Sequence, residues 1–138
     1  LRTPSIIRWP GKVDPRMDRE TNVTSLDLVA TLLTMCGVQS AEGASGVDLR
    51  TDTPQSRNAI FGEIFTHDAV DIQNPASSLV YRWCIEGDWK LILPSDLEIA
   101  PELYNLRSDP FEEVDVASAH ADRVAEMARQ IDGWWPGR

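Results

Sequence analysis

The residues best able to do chemistry lie close together in the stretch G-E-I-F-T-H-D-A-V-D. They are Glu63, His67, Asp68 and Asp71. Carboxylates and an imidazole at such spacing can ligate a metal ion. A neutral imidazole can also donate or accept a hydrogen bond beside a charged ester. The spacing fits no established metal signature, so the plainer reading is a solvated strand end and loop. If the cluster works at all, the wall of a substrate pocket is its place.

Other candidates are thinner. His120 precedes the last helical pattern and reads as a surface or capping residue. Arg2 and Arg8 flank a short β-prone run; either could bind an anion, but a lone Arg beside a strand is usually structural. Lys90 alternates with Trp89 and Leu91, which puts it on the outer face of a strand. Tyr81, Trp83, Trp89, Trp134 and Trp135 could form a carbohydrate platform, although packing between helix and sheet accounts for most of them. Cys36 reads as a buried helix residue and Cys84 as a strand residue; a disulfide between them stays open. No Gly-x-Ser-x-Gly elbow and no phosphate-cradling glycine loop occurs. From its residues alone, the chain offers no convincing nucleophile.

The bulk properties narrow the function class. The chain has 138 residues, 42% of them hydrophobic and 25% charged, enough to bury a modest core. Acidic residues outnumber basic ones, 22 to 13, for a formal charge of −9. Without a basic cluster, binding to nucleic acid or to an anionic membrane is set aside. No apolar run is long enough for a transmembrane helix. The start at Leu1-Arg2-Thr3-Pro4 reads as a cut through a longer protein.

The elements that must position these residues can be read from periodicity and turn chemistry. Ser5 to Trp9 reads as a short strand buried on both faces, ended by Pro10-Gly11. Ser25 to Cys36 carries Val29, Leu32, Leu33 and Cys36 at helical spacing. Thr24 or Ser25 can cap it, Asp27 sits in its first turn, and Gly37 suits its C′ position. Residues 39–57 read as a surface loop. Four strands come next, at Ala59–Phe65, Leu79–Ile85, Trp89–Leu93 and Glu102–Leu106. A tight Glu86-Gly87-Asp88 turn joins the second to the third. A helix from about Ala119 to Trp134 carries Val124, Met127, Ala128, Ile131 and Trp135 on one stripe; Ser118 could cap it. The expected fold class is α+β: a four-stranded antiparallel sheet packed by a C-terminal helix, preceded by a strand and a helix.

Five ordered stretches resemble the C-terminal third of the sulfatase family, within the alkaline-phosphatase-like superfamily. They are R-T-P-S-I-I-R-W-P-G-K (2–12), S-L-D-L-V-A-T-L-L-T-M-C-G-V (25–38), I-F-G-E (60–63), E-G-D-W-K-L-I (86–92) and E-L-Y-N-L-R-S-D-P-F-E-E-V-D-V-A (102–117). The Trp134-Trp135 pair also fits. The resemblance implies hydrolysis of sulfate esters by a formylglycine made in a Cys/Ser-x-Pro-x-Arg motif, with calcium as cofactor. That motif is missing: Cys36 begins C-G-V-Q-S and Cys84 begins C-I-E-G-D. Thr53-Pro54-Gln55-Ser56-Arg57 has no Cys or Ser two residues before its Pro. The chain should therefore hold no catalytic residue and no metal ligand, and should be inactive alone.

The same resemblance splits the chain. Residues 1–50 would be the tail end of a large α/β domain, 51–57 a linker, and 58–138 the C-terminal subdomain. The segment after Gly62-Glu63 would approach the pocket mouth, making His67 and Asp68 the candidate substrate contacts. The expected partners are the rest of the catalytic domain and, in the parent, a sulfate ester; the isolated piece could self-associate. A relative that hydrolyses phosphonate or phosphate esters, and a non-catalytic interaction module, remain as alternatives. A periplasmic or extracellular parent is implied by the family.

Overall fold

A computed structural model describes residues 3–39, 42–51 and 57–135. Arg2 and residues 52–56, which make up most of the expected linker, lie outside the described residues. The chain forms two compact units, Leu1–Arg57 and Asn58–Arg138.

The second unit is an open four-stranded antiparallel sheet with a helix on one face. Its strands are β1 (Ala59–Phe65), β2 (Leu79–Glu86), β3 (Trp89–Pro94) and β4 (Glu102–Asn105), in spatial order β1-β2-β3-β4. The α+β expectation therefore holds, and each strand falls within a residue or two of its expected bounds. Gly87 takes a positive φ of 55° in the two-residue turn between β2 and β3, where a primed hairpin turn asks for one.

Burial decides which way each strand faces. Helix α2 (Ala121–Trp134) places Met127 and Ile131 against Leu91 and Leu103, with Cys84 beside them, and all five are fully buried. Trp89, Leu93, Val124 and Ala128 pack around this centre. Burial pushes the Cys84 thiol up to about 12, helped by the nearby charge of Glu86. Strand alternation then puts Tyr81 and Trp83 on the face away from α2, where the Trp83 indole lies over Gly62. These two are therefore not among the aromatic residues that fill the space between helix and sheet. Trp134 and Trp135 do pack against the sheet, Trp134 stacked on Phe61 at a centroid distance of 5.3 Å and Trp135 tilted against Phe65 at 6.0 Å. The helix N-cap is His120; Ser118 belongs to a short 3-10 turn, Ala117–Ala119, just before it.

The first unit is built on a different principle. Helix α1 spans Ser25–Met35, and Gly37 ends it as expected. The φ of Gly37 is 72°, and the Gly37 and Val38 amides donate to Thr34 and Leu33, the pattern of a Schellman cap. The buried side of this helix is not the apolar one. Asp27, Ala30 and Thr31 are buried, whereas Leu26, Val29 and Leu32 are each more than half exposed, and Cys36 is exposed. The reason is what lies across the helix. Residues 46–49 run against it as bare backbone: the Val47 N–H donates to Asp27 Oδ1 (3.0 Å) and the Leu49 N–H to Thr31 Oγ1 (2.9 Å). A Cβ on Gly46 would stand 2.2 Å from the Leu26 carbonyl oxygen. Polar side chains are needed there because those amides would otherwise be buried unpaired. The expected strand at Ser5–Trp9 does not form. Residues 3–9 have no regular secondary structure, and Ile6 is almost fully exposed. A strand buried on both faces needs neighbours on both sides, and no described strand pairs with it.

Asp27 is the hub of this unit. Its carboxylate accepts four donors: the Thr24 N–H at 2.7 Å, the Val47 N–H at 3.0 Å, and both ends of the Arg57 guanidinium at 2.9 Å each. Arg57 also donates to the Asn22 carbonyl at 2.8 Å. Burial by itself raises the pKa of this carboxyl. The Arg57 hydrogen bonds, the two amides and the Arg57 charge outweigh it and hold the group below the ordinary 3.8. Among the described residues no helix is long and apolar enough to cross a membrane.

The close approach at Gly46 and the Asp27–Arg57 pair can each be tested. Gly46→Ala forces backbone apart and should lower stability by about 1–3 kcal/mol; amide exchange at Val47 and Leu49 will rise if it does, and unchanged protection would refute the close approach. Arg57→Ala strands a buried carboxylate and should cost about 3–5 kcal/mol. Because the folded pKa of Asp27 is depressed, its stabilisation is in force above pH 3.8 and drains away as the pH falls through the lower folded value. Acid unfolding monitored by circular dichroism should show that loss, and Asp27→Asn should flatten it.

Candidate functional site

The segment of most interest joins β1 to β2. Residues 66–74 form an exposed loop, and a 3-10 turn at Pro75–Ser78 leads from it into β2. His67 and Asp68 lie at its start, just after β1, and are exposed, as are Glu63 on β1 and Asp71 further along. The Thr66 hydroxyl donates to the Asp68 carbonyl at 2.8 Å, so the turn bearing His67 is closed locally. Asp71 serves the loop itself: its carboxylate accepts the Gln73 N–H at 2.8 Å and its carbonyl the Asn74 N–H at 3.2 Å. Glu63, His67, Asp68 and Asp71 are not brought together. Among the described residues no three His, Cys, Asp or Glu side chains gather to hold a metal ion.

The loop is anchored below by Ser78, and the strand that follows is held by Ser95. The Ser78 hydroxyl, 5% exposed, accepts the Val70 N–H at 2.8 Å, and the Ser78 carbonyl accepts the Thr66 N–H at 2.8 Å. One step along β2 the pairing with β1 slips, so that Ile64 faces Tyr81 but Phe65 faces Leu79. Val80 is the extra residue, and its carbonyl turns to the Ser95 N–H at 2.9 Å. The Ser95 hydroxyl donates to the Leu79 carbonyl at 2.6 Å. A bulge of this kind bends its strand and re-aims the adjoining segment.

Other candidate residues take structural places. Lys90 does lie on the sheet face away from α2, but its ammonium is paired with Glu112 at 2.5 Å and both are largely covered. That pair joins two of the stretches singled out in the sequence, 86–92 and 102–117. Glu112 adopts a positive φ of 60°, costly for a side-chain-bearing residue. The Asp109 carboxylate supports that turn by accepting the Val114 and Glu113 amides at 2.9 and 3.1 Å, which holds its pKa down. Tyr104 donates its phenolic proton to Glu102 at 2.6 Å, which with partial burial and nearby carboxylates pushes it up to about 12. His120 stands edge-on to the Trp89 ring at 5.0 Å, and the Arg123 guanidinium lies over that ring at 5.4 Å. Arg8 is exposed, and both cysteines are free thiols.

Two arginines matter more than the sequence suggested. Arg57, noticed only as part of a near-motif, anchors Asp27. Arg82, unremarked in β2, is 2% exposed. It donates to Asp132 and to the Trp135 carbonyl at 2.7 Å each, tying the sheet to the end of α2. The available signal was charge inside an otherwise apolar strand, L-V-Y-R-W-C-I, since a cation there has to find a partner.

Comparison with known proteins matches this architecture. Residues 1–133 match the family described as N-sulphoglucosamine sulphohydrolase, C-terminal. The chain is 27% identical to an N-acetylgalactosamine-6-O-sulfatase of Bacteroides thetaiotaomicron over 144 residues, covering 95% of this chain and 27% of that protein. It is 29% identical to arylsulfatase K of Xenopus laevis over 135 residues, covering 93% of this chain and 25% of that protein. A structure solved in complex with its substrate D-glucosamine-2-N,6-O-disulfate shares the fold at a TM-score of 0.58 and 18% identity, over 80% of this chain and 23% of that one. A structure from work on glycosaminoglycan metabolism by Bacteroides thetaiotaomicron reaches a TM-score of 0.70 at 16% identity, over 94% of this chain and 30% of that one. The chain thus spans about a quarter of the length of the curated relatives it matches. On the family match across nearly its whole length, the chain belongs to the sulfatases, as a member of their C-terminal N-sulphoglucosamine sulphohydrolase family.

Proposed function

We propose that this chain is the C-terminal part of a sulfate ester hydrolase and shapes the substrate pocket without carrying its chemistry. The observation behind this is the family match over residues 1–133 in a sequence with no Cys/Ser-x-Pro-x-Arg motif. Membership implies calcium and a formylglycine in the full-length protein. The donors described in this chain do not fit that role: among the described residues no three His, Cys, Asp or Glu side chains gather to hold a metal ion. Nucleophile and metal together account for most of the rate enhancement of such a hydrolase, so the upstream region must supply them.

On this reading residues 1–50 belong to the large α/β domain and 58–138 to the C-terminal subdomain. Support comes from α1, whose Leu26, Val29 and Leu32 line up on one exposed side together with half-exposed Val38. Such a stripe is what a helix shows when its cover lies elsewhere. Its occupant would be an apolar surface of the catalytic domain. The substrate class is a sulfated sugar, by analogy with the N-acetylgalactosamine-6-O-sulfatase and with the neighbour bound to a sulfated glucosamine. His67 and Asp68 are the contacts this chain would contribute, because they are exposed in a short turn held at Thr66 and Val70. Such a protein would work in the periplasm or outside the cell, which cell fractionation would test.

Two outcomes test the reading. The isolated chain, supplied with 4-nitrophenyl sulfate and calcium, should show no turnover above a heat-killed control; measurable turnover sinks the proposal. At high concentration it should self-associate through α1, and replacing Leu26, Val29 and Leu32 by Ser should return it to monomer in light scattering. A wild-type chain that is already a clean monomer counts against the docking face.

A further inference from the structure

The loop at 66–74 is held more firmly than an exposed connection requires. Three separate devices converge on it. The buried Ser78 holds the chain on either side of His67 and Asp68, its hydroxyl accepting the Val70 amide and its carbonyl the Thr66 amide, each at 2.8 Å. The Thr66 hydroxyl closes the turn around His67 through the Asp68 carbonyl. The Val80 bulge, sealed by Ser95, sets the direction in which the loop leaves the sheet. Apolar packing plays little part, since Val70 and Ile72 point outward at 69% and 81% exposure. The hydrogen bonds at its base run through Ser78.

We infer that Ser78 is a positioning residue for sugar recognition: it pins the chain at Thr66 and Val70, on either side of His67 and Asp68, so that these two meet a neutral sugar hydroxyl or amide at a fixed height. This rests on the reading of His67 and Asp68 as the pocket rim. Charge decides the choice of ligand group. A carboxylate on a chain with a formal charge of −9 repels a sulfate but accepts a hydrogen bond from a hydroxyl or an amide N–H. Loop 66–74 therefore reads the sugar and leaves the ester to the catalytic region. Pre-forming it removes the cost of ordering two side chains on binding.

The test uses the complete sulfatase that carries this region, with N-acetylgalactosamine 6-sulfate as the sugar probe and 4-nitrophenyl sulfate as the bare ester. Ser78→Ala should raise KM for the sugar by about fivefold, the worth of one hydrogen bond. It should leave kcat, and KM for the aryl ester, unchanged. Exchange of the Val70 amide should speed up in parallel. Thr66→Val, at an exposed position, should give the same split even where the Ser78 variant folds poorly. His67→Ala separates the two layers of the inference. If it leaves sugar KM unchanged, the rim reading fails and this one falls with it. If it raises sugar KM while Ser78→Ala and Thr66→Val do not, positioning alone is wrong. Equal losses on both substrates would make Ser78 merely structural and overturn the proposal.

Discussion

Residues 58–135 depend on one apolar seam, in which Leu91 and Leu103 on adjacent strands meet Met127 and Ile131 one helical turn apart on α2. Fully burying each such side chain is worth about 1.5–3 kcal/mol. The seam fixes more than stability. A strand has only two faces, so committing Leu91 to α2 sends Lys90 and Ile92 to the other side. There Lys90 reaches Glu112 and ties the loop after β4 to the sheet. At the far end of the same helix, Arg82 crosses from β2 to Asp132 and the Trp135 carbonyl. Among the described residues its Nε has no hydrogen-bond partner.

Residues up to Arg57 reverse that logic. Their interior is polar and their exposed helix face apolar. Asp27 makes this workable because four donors converge on one carboxylate. A buried ion pair is a weak source of net stability, since desolvation cancels much of its attraction. Its value here is geometric. It joins the start of α1, the backbone at Val47 and the residue that leads into β1. The outward Leu26, Val29 and Leu32 are then free to face another surface.

The proposed division of labour is consistent with both halves. A region that supplies neither nucleophile nor metal can still set specificity, provided its contacts are held rigidly. Loop 66–74 has that character: exposed at His67, closed by Thr66, and bound beneath by a buried serine. Loops placed by a rigid scaffold are where recognition concentrates.

Much of this was legible in the order of residues. Alternation and turn chemistry located the four strands and the Gly87 hairpin turn, and the 3.6-residue period located both helices with Gly37 at the end of the first. These are local properties, decided by neighbours a few residues away. The missing nucleophile motif was equally a matter of sequence. What the chain could not reveal locally was partnership. The period of α1 marked Val29, Leu32 and Cys36 as inward, but the helix turned its Asp27 side in, because the backbone at 46–49 needed acceptors. The run at Ser5–Trp9 had strand character without a strand to pair with. Which of the five aromatic residues would pack beneath α2 stayed open, since only register tells which side the helix covers; Tyr81 and Trp83 lie on the other. Arg57 and Arg82 became structural centres through contacts with Asp27 and Asp132, 30 and 50 residues away. The tertiary structure alone decided these points, because a residue's face, burial and charge partner depend on groups far off in the chain.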